Sequence, residues 1–183
     1  SRILPLEADP PEHLGFRMII NPFFAPRKVG ELEHFTRELA IELIDEIQPR
    51  GRCEFMNDFA LKLPIAIFMR LADLPMEDAP KLLEYAEMAT RGGPDMQGPA
   101  QEKMLAYIMP VLEKRTAEPG DDMLSAIIQA KVKGEPIAFP DMISMILTVL
   151  FGGLDTVAST MGFIAHFLAN NTAHRRELAA DPA

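Results

Sequence analysis

Four residues inside one long apolar stretch have the types and spacing that chemistry requires. Residues 142–165 are almost entirely apolar, and Asp155 is the only charged side chain among them. Thr156 lies four residues after Gly152, so its hydroxyl can bond the Gly152 carbonyl and loosen the helix there. Gly153 adds a second glycine, and each glycine inside a helix costs about 1 kcal/mol relative to alanine. Residues that destabilise a helix without a visible structural benefit are typical of functional sites. The pattern therefore predicts a notch in the helix, with a hydroxyl and a proton-exchanging carboxyl at its edge.

The same segment also allows structural interpretations. Small or hydroxylated residues recur every four positions, which equally suits close packing of another helix. The segment is long enough to cross a bilayer. A charge at mid-span would cost roughly 2.5–3.5 kcal/mol on insertion scales, and no Lys/Arg cluster adjoins either end. The sequence therefore favours a helix buried by its neighbours. The recurring residues are Ser144, Thr148, Gly152, Thr156 and Thr160.

A second pair of residues with binding chemistry lies near the start of the chain. His13 and Arg17 are four residues apart, so one helix face presents both to a single anion. Residues 9–12 predict the start of that helix, with Asp9 as the N-cap and Glu12 completing a capping box.

The elements that must position these residues are helices separated by proline. Sixteen prolines fall between periodic apolar segments, as helix boundaries require. No alternating run is long enough for a sheet, so the sequence predicts an all-α fold. Helices are expected after Pro26 as far as Ile47, then at about 57–72, 77–91, 99–117 and 121–131, with a turn or short hairpin at 132–137.

Composition excludes several classes of protein. The chain has 183 residues, ample for one domain, and 18 Lys+Arg against 27 Asp+Glu give a net charge of −9. That charge argues against nucleic acid and against an anionic membrane as partners. A single cysteine, Cys53, excludes an internal disulfide framework and a multi-cysteine zinc site. It suits a cytoplasmic location.

The central motif resembles that of a known family. Gly152-Gly153-Leu154-Asp155-Thr156 resembles the (Ala/Gly)-Gly-x-(Asp/Glu)-Thr motif of the oxygen-binding helix of cytochrome P450 monooxygenases. The resemblance runs from about residue 9 to 183 and is closest to the bacterial camphor-hydroxylase branch. Further matching segments are 9–17, similar to Asp-Pro-Pro-x-His-x-x-x-Arg; 64–72, similar to that branch; 120–125, similar to the Asp-Asp-x-Leu-Ser segment; and 174–178, similar to the start of the next helix.

The resemblance implies the central part of a mostly helical fold and a haem-dependent activity. Haem b and O2 would be the cofactors, with electrons ultimately from NAD(P)H through a ferredoxin-type donor. The substrate would be small, apolar and terpenoid-like. The implied roles are catalysis for Thr156 and Asp155, an oxygen-binding notch for Gly152 and Gly153, and contacts to the haem propionates for His13 and Arg17.

The same resemblance implies a substrate pocket and a partner for Asp155. Phe151, Thr148 and Thr90 match pocket-lining positions of the branch, although ordinary core packing is the alternative for each. Arg91 stands where the branch places a partner for the carboxyl, with a solvated charge at a helix end as the alternative. Leu83 replaces a second basic partner.

The proximal half of the family's haem site is missing from this sequence. Neither the Phe-x-x-Gly-x-x-x-Cys-x-Gly loop nor a Glu-x-x-Arg pair occurs, and Cys53 is interpreted as a structural cysteine. No metal ligand is expected in the chain, and the thiolate ligand is expected beyond Ala183. Residues 1–183 are thus expected to be a single partial domain, an internal fragment covering the distal half. The alternative function is a non-enzymatic helical module that binds a partner helix or an apolar ligand.

Overall fold

A computed structural model describes residues 2–181, which form ten α-helices and one short hairpin. The predicted all-α fold class is confirmed. The elements are α1 (Glu12–Ile20), α2 (Pro26–Gly30), α3 (Glu33–Ile47), α4 (Lys62–Leu71), α5 (Ala79–Arg91), α6 (Pro94–Ala117), α7 (Met123–Ile128), β1 (Lys131–Val132), β2 (Glu135–Pro136), α8 (Phe139–Leu154), α9 (Thr156–Asn170) and α10 (Thr172–Ala180).

Most boundaries follow the predicted proline and glycine positions. The helix expected after Pro26 is divided into α2 and α3, and the segment expected at 57–72 starts with a turn of π-helix, Met56–Ala60, before α4. The predicted hairpin forms, with Val132 opposite Glu135.

The predicted capping box at the start of α1 is wrong. The helix begins at Glu12, so Glu12 is its first residue, and Pro11 at the N-cap makes no side-chain hydrogen bond. Asp9 contributes only its backbone carbonyl, which accepts from the His13 N–H at 3.0 Å. The Glu12 carboxylate instead pairs with Arg2 at 2.8 Å. The hydrogen bond from Arg2 lowers the pKa of Glu12.

The core lies between α8 and the helices packed on its inner face. Helices α1, α4, α5, α6 and α7 each contribute apolar side chains to it. These chains interdigitate with one face of α8, as the 3.6-residue period requires. The large side chains with almost no exposure are Leu4, Phe16, Met69, Leu82, Met104, Ile108, Met123, Leu124, Ile127, Met145, Ile146 and Leu150.

The long apolar segment is only partly buried, and it is interrupted. Helix α8 ends at Leu154 and α9 begins at Thr156, with Asp155 between them. The prediction of a helix buried by its neighbours is wrong for most of the segment, because one face of α8 is buried and in α9 only Ala158 is. The span Phe139–Asn170 is long and apolar enough to cross a bilayer, yet only 33% of its most apolar window is buried. Within residues 2–181, α9 packs on the turn Met56–Ala60, α4, α8 and α10, which leaves its outer face uncovered.

Helices α5 and α6 pack side by side and carry both tyrosines of the chain. The Tyr107 hydroxyl in α6 donates to the Asp78 carboxylate just before α5, at 2.9 Å. Burial and this hydrogen bond raise the pKa of Tyr107. Tyr85 in α5 lies with its ring 5.5 Å from the Lys103 ammonium of α6.

A buried charged pair joins α6 to α7. Arg115 is 8% exposed and Asp122 is 7% exposed, and their side chains approach to 3.4 Å. Arg115 also donates to the backbone carbonyl of Asp73 at 2.6 Å. The Asp122 carboxylate caps α7 by accepting from the N–H groups of Leu124 and Ser125. The pair therefore fixes the entry to α7.

Candidate functional site

The break between α8 and α9 is bridged by a side chain. The Thr156 hydroxyl donates to the Gly152 carbonyl at 2.5 Å, as the four-residue spacing predicted. One turn later the Thr160 hydroxyl donates to the Thr156 carbonyl at 2.8 Å. Hydroxyls bonded to the carbonyl four residues earlier loosen and bend a helix. The exposed Thr156 therefore lies at a local distortion of the helix.

Asp155 is a buried carboxyl with one strong ionic partner. It is 8% exposed, and its Oδ1 lies 2.7 Å from Nη2 of Arg91, the last residue of α5. The same nitrogen donates to the Ser159 hydroxyl at 3.0 Å, and Nη1 lies 3.1 Å from Glu87. Because the Arg91 side chain is 47% exposed, the network connects the buried carboxyl to solvent. Leu83, two turns earlier on α5, packs against the core and supplies no charge.

An apolar groove of about 500 Å³ runs beside the break. Gly152, Gly153 and Thr148 form its wall on α8, and the Thr148 hydroxyl is engaged with the Ser144 carbonyl at 2.8 Å. A cavity of this size with almost wholly apolar walls suits a small organic ligand. Its lining residues are Pro5, Leu6, Arg17, Ile20, Phe24, Leu63, Pro64, Ile67, Phe68, Leu71, Thr148, Val149, Gly152, Gly153, Val157 and Met161.

The remaining predicted pocket residues lie outside the groove. Phe151 packs against the core, and the Thr90 hydroxyl donates to the Ala86 carbonyl at 2.9 Å. Neither lines the groove.

The two glycines of the wall have different surroundings. A Cβ at Gly152 would meet no atom within 4 Å, whereas a Cβ at Gly153 would overlap the Phe68 ring of α4. Gly153 is therefore required by the close approach of α4 and α8. Gly152 leaves open space at the groove.

This difference predicts opposite effects of alanine at adjacent positions. Gly153→Ala will lower the free energy of unfolding by about 1–3 kcal/mol, because Phe68 must move. Gly152→Ala will leave it unchanged or raise it by up to about 1 kcal/mol, since alanine favours the helix. Urea denaturation of both variants checks the pair, and equal effects would contradict the assignment.

Arg17 faces the groove from α1. It is half-buried and lines the groove, and His13 lies one turn earlier on the same helix without lining it. Among the ion pairs formed within residues 2–181, none involves either side chain. The structure thus places one cation without an acidic partner beside an apolar groove.

Comparisons with known proteins show which proteins this chain is similar to. No family model matches the chain. A probable cytochrome P450 127A1 of Sinorhizobium fredii is 31% identical over 182 residues, covering 99% of this chain and 44% of the relative. The crystal structure of CYP101J2 is 41% identical with a TM-score of 0.84, over 100% of this chain and 46% of that one. The chain belongs to the cytochrome P450 family.

A second P450 structure agrees with the branch expected from the motifs. CYP101C1 is 38% identical with a TM-score of 0.78, covering 98% of this chain and 45% of that one. It shares the CYP101 designation with CYP101J2. The chain spans slightly less than half the length of the relatives it matches.

The family implies a haem, and the P450 residues around the groove fit one. Haem is a broad apolar group with two carboxylates at one edge. The groove offers apolar walls, open space at Gly152 and the guanidinium of Arg17, which pairs with no acidic side chain within residues 2–181. Arginine is the residue best suited to bind a carboxylate.

Sequence reasoning missed several participants in this P450 site. Glu87 and Ser159 are hydrogen-bonded to the same Arg91 side chain that pairs with Asp155. The Phe68 ring leaves no room for a side chain at Gly153. The spacing of Glu87 and Arg91, and of Asp155 and Ser159, is four residues. That helical spacing is the signal that could have found the first two. The contact with Phe68 has no local signal.

Proposed function

We propose that this chain forms the distal, oxygen-activating part of a haem-dependent monooxygenase. The enzyme would hydroxylate a small apolar, terpenoid-like substrate with O2 and with electrons that come ultimately from NAD(P)H through a ferredoxin-type donor. The observation that carries the proposal is the buried Asp155, paired with Arg91 at 2.7 Å beside a hydroxyl-bridged break in the wall of an apolar groove.

In this proposal the haem, once bound, supplies the activation of O2 and the oxidation of the substrate C–H bond. Arg17, with His13 on the same helix face, would hold its propionates by charge-assisted hydrogen bonds. The apolar walls would exclude water and bind the substrate. Gly152 would leave open space in the wall for O2, beside Gly153, which packs on Phe68. The groove residue Thr148 would contact substrate, whereas Phe151 and Thr90, the other expected pocket residues, do not line the groove.

Proton movement is assigned to Asp155 and Thr156. The Asp155 carboxyl would exchange protons with solvent when it releases Arg91, which remains near the surface through Glu87. The Thr156 hydroxyl, held beside the groove residue Gly152 by its bond to that carbonyl, would accept a hydrogen bond on the proton path from Asp155 to the groove. Positioned proton transfer of this kind contributes typically about 10²–10⁴-fold to rate.

The remaining parts of the proposal concern the whole protein. The 183 residues would be one partial domain of a larger helical domain that binds haem b, with its thiolate ligand outside this chain. The share of the relatives' length supports this. A cytoplasmic location is proposed from the single cysteine, Cys53, since a lone thiol suits a reducing compartment.

The visible spectrum of the intact gene product tests the function. After reduction under carbon monoxide, the protein is expected to give the Soret band of a thiolate-ligated haem. A colourless intact protein would overturn the proposal. It would favour instead a helical module that binds a partner helix or apolar ligand, for which the exposed Phe163, Ile164 and Phe167 of α9 provide a surface.

Thr156→Ala provides a sharper test of the mechanism. The variant is expected to keep its electron uptake but to divert it to peroxide, because the hydroxyl that orients the proton is lost. The ratio of product to NAD(P)H consumed measures this coupling. Thr160→Ala is the matched control, since Thr160 makes the same bond to a backbone carbonyl one turn later. Unchanged coupling in Thr156→Ala would refute the role.

A further inference from the structure

A short segment, residues 3–8, crosses the end of the groove and is here called the strap. Leu4 anchors it in the core with 0% exposure, while Leu6 is 74% exposed at the groove mouth. Pro5 and Leu6 both line the groove. The strap therefore forms a wall that is not part of any helix.

Ser144 of α8 bonds to two backbone groups at the N-terminal side of the Leu4 anchor. Its hydroxyl accepts from the Leu4 N–H at 2.9 Å and donates to the Arg2 carbonyl at 2.5 Å. These two bonds join residues that are about 140 positions apart in sequence. One hydroxyl thus satisfies two backbone groups that would otherwise need other partners.

The position of Ser144 connects the strap to the groove. Thr148 and Gly152 follow Ser144 at intervals of four residues, on the same face of α8, and both line the groove. The other polar attachment, the ion pair of Arg2 with Glu12, is substantially exposed and such pairs contribute little. The Ser144 bonds are the polar attachment between the strap and the groove helix.

We propose that Ser144 is a positioning residue that holds the strap against α8 and thereby sets the width of the groove at that end. This inference rests on the proposed role of the groove as the ligand site. Loss of the hydroxyl would free the backbone where it enters the strap, at the Arg2 carbonyl and the Leu4 N–H. Pro5 and Leu6 would then move apart from α8, and the groove would accept larger apolar molecules.

Amide hydrogen exchange and probe binding on the intact gene product test the proposal. In Ser144→Ala the Leu4 amide is expected to exchange roughly tenfold faster, the effect of losing about one to two hydrogen bonds. Naphthalene and pyrene serve as small and large apolar probes, followed by their fluorescence. The ratio of pyrene to naphthalene affinity is expected to rise about fivefold or more.

Two further variants test whether both effects are specific to the loss of the Ser144 hydroxyl. Ser144→Thr retains the hydroxyl and should restore slow exchange at Leu4. Thr36→Ala removes a half-buried helix hydroxyl that bonds the Leu32 carbonyl at 2.8 Å, remote in sequence from the strap and α8, and should change neither readout. Equal Leu4 exchange in Ser144→Ala and wild type would overturn the proposal. If wild type binds neither probe, the groove is not a ligand site, whereas Leu4 exchange still decides whether Ser144 holds the strap.

Discussion

Asp155→Asn is expected to reduce the turnover of the intact enzyme on the order of 10²-fold or more. Asparagine is similar in shape and keeps a hydrogen bond to Arg91, but it cannot exchange a proton with solvent. Substrate binding in the groove should be nearly unchanged, because Asp155 does not line it. The substitution should therefore lower kcat and leave KM nearly unchanged.

The measurement is the rate of product formation at saturating substrate, together with its solvent isotope effect. A rate limited by proton delivery will show a larger isotope effect in the variant. Asp141→Asn is the charge-matched control, since Asp141 lies in the first turn of α8, 14 residues or about four helical turns before Asp155. A turnover within about twofold of wild type for Asp155→Asn would contradict the assigned role.

Arg115→Ala will lower the free energy of unfolding by about 3–5 kcal/mol. The substitution leaves the Asp122 carboxylate buried without its cation and removes the donor to the Asp73 carbonyl. Asp122 also caps α7, so the loss is expected to loosen the start of that helix. Chemical denaturation followed by circular dichroism checks the magnitude.

The matched control is Arg37→Ala. Arg37 and Glu33 are also 3.4 Å apart, but their side chains are 71% and 73% exposed. An exposed pair on a helix is worth about 0.3–0.5 kcal/mol. The two variants therefore compare a buried ion pair with an exposed one at the same distance between the charged atoms. Similar losses in both would show that the buried pair contributes no more than an exposed one.

The parts of the fold that depend on local pattern were predictable. The hairpin at 132–137 and the bond from Thr156 to Gly152 both depend on residues fewer than six apart. The motif at 152–156 also predicted the family, which the comparisons confirm. Local spacing fixes such features because helix and turn geometry determine which neighbours meet.

The parts that depend on distant contacts were not predictable from spacing. The Phe68 ring leaves no room for a Cβ at Gly153. Phe68 precedes Gly153 by 85 residues in the sequence. Burial of α9 was overestimated for the opposite reason, since an apolar sequence does not reveal which elements will cover it. The capping box failed because α1 begins at Glu12 itself, and the Glu12 carboxylate pairs with Arg2, which precedes the helix.

The packing of α5 on α6 determines what optical experiments on this protein report. The chain has no tryptophan and two tyrosines, and Tyr85 and Tyr107 both lie where these helices meet. Intrinsic fluorescence therefore follows the separation of one helix pair, while circular dichroism follows all the helices, ten of them within residues 2–181. Coincident unfolding curves from the two signals would indicate a single cooperative transition. Divergent curves would identify α5 and α6 as an independently melting unit.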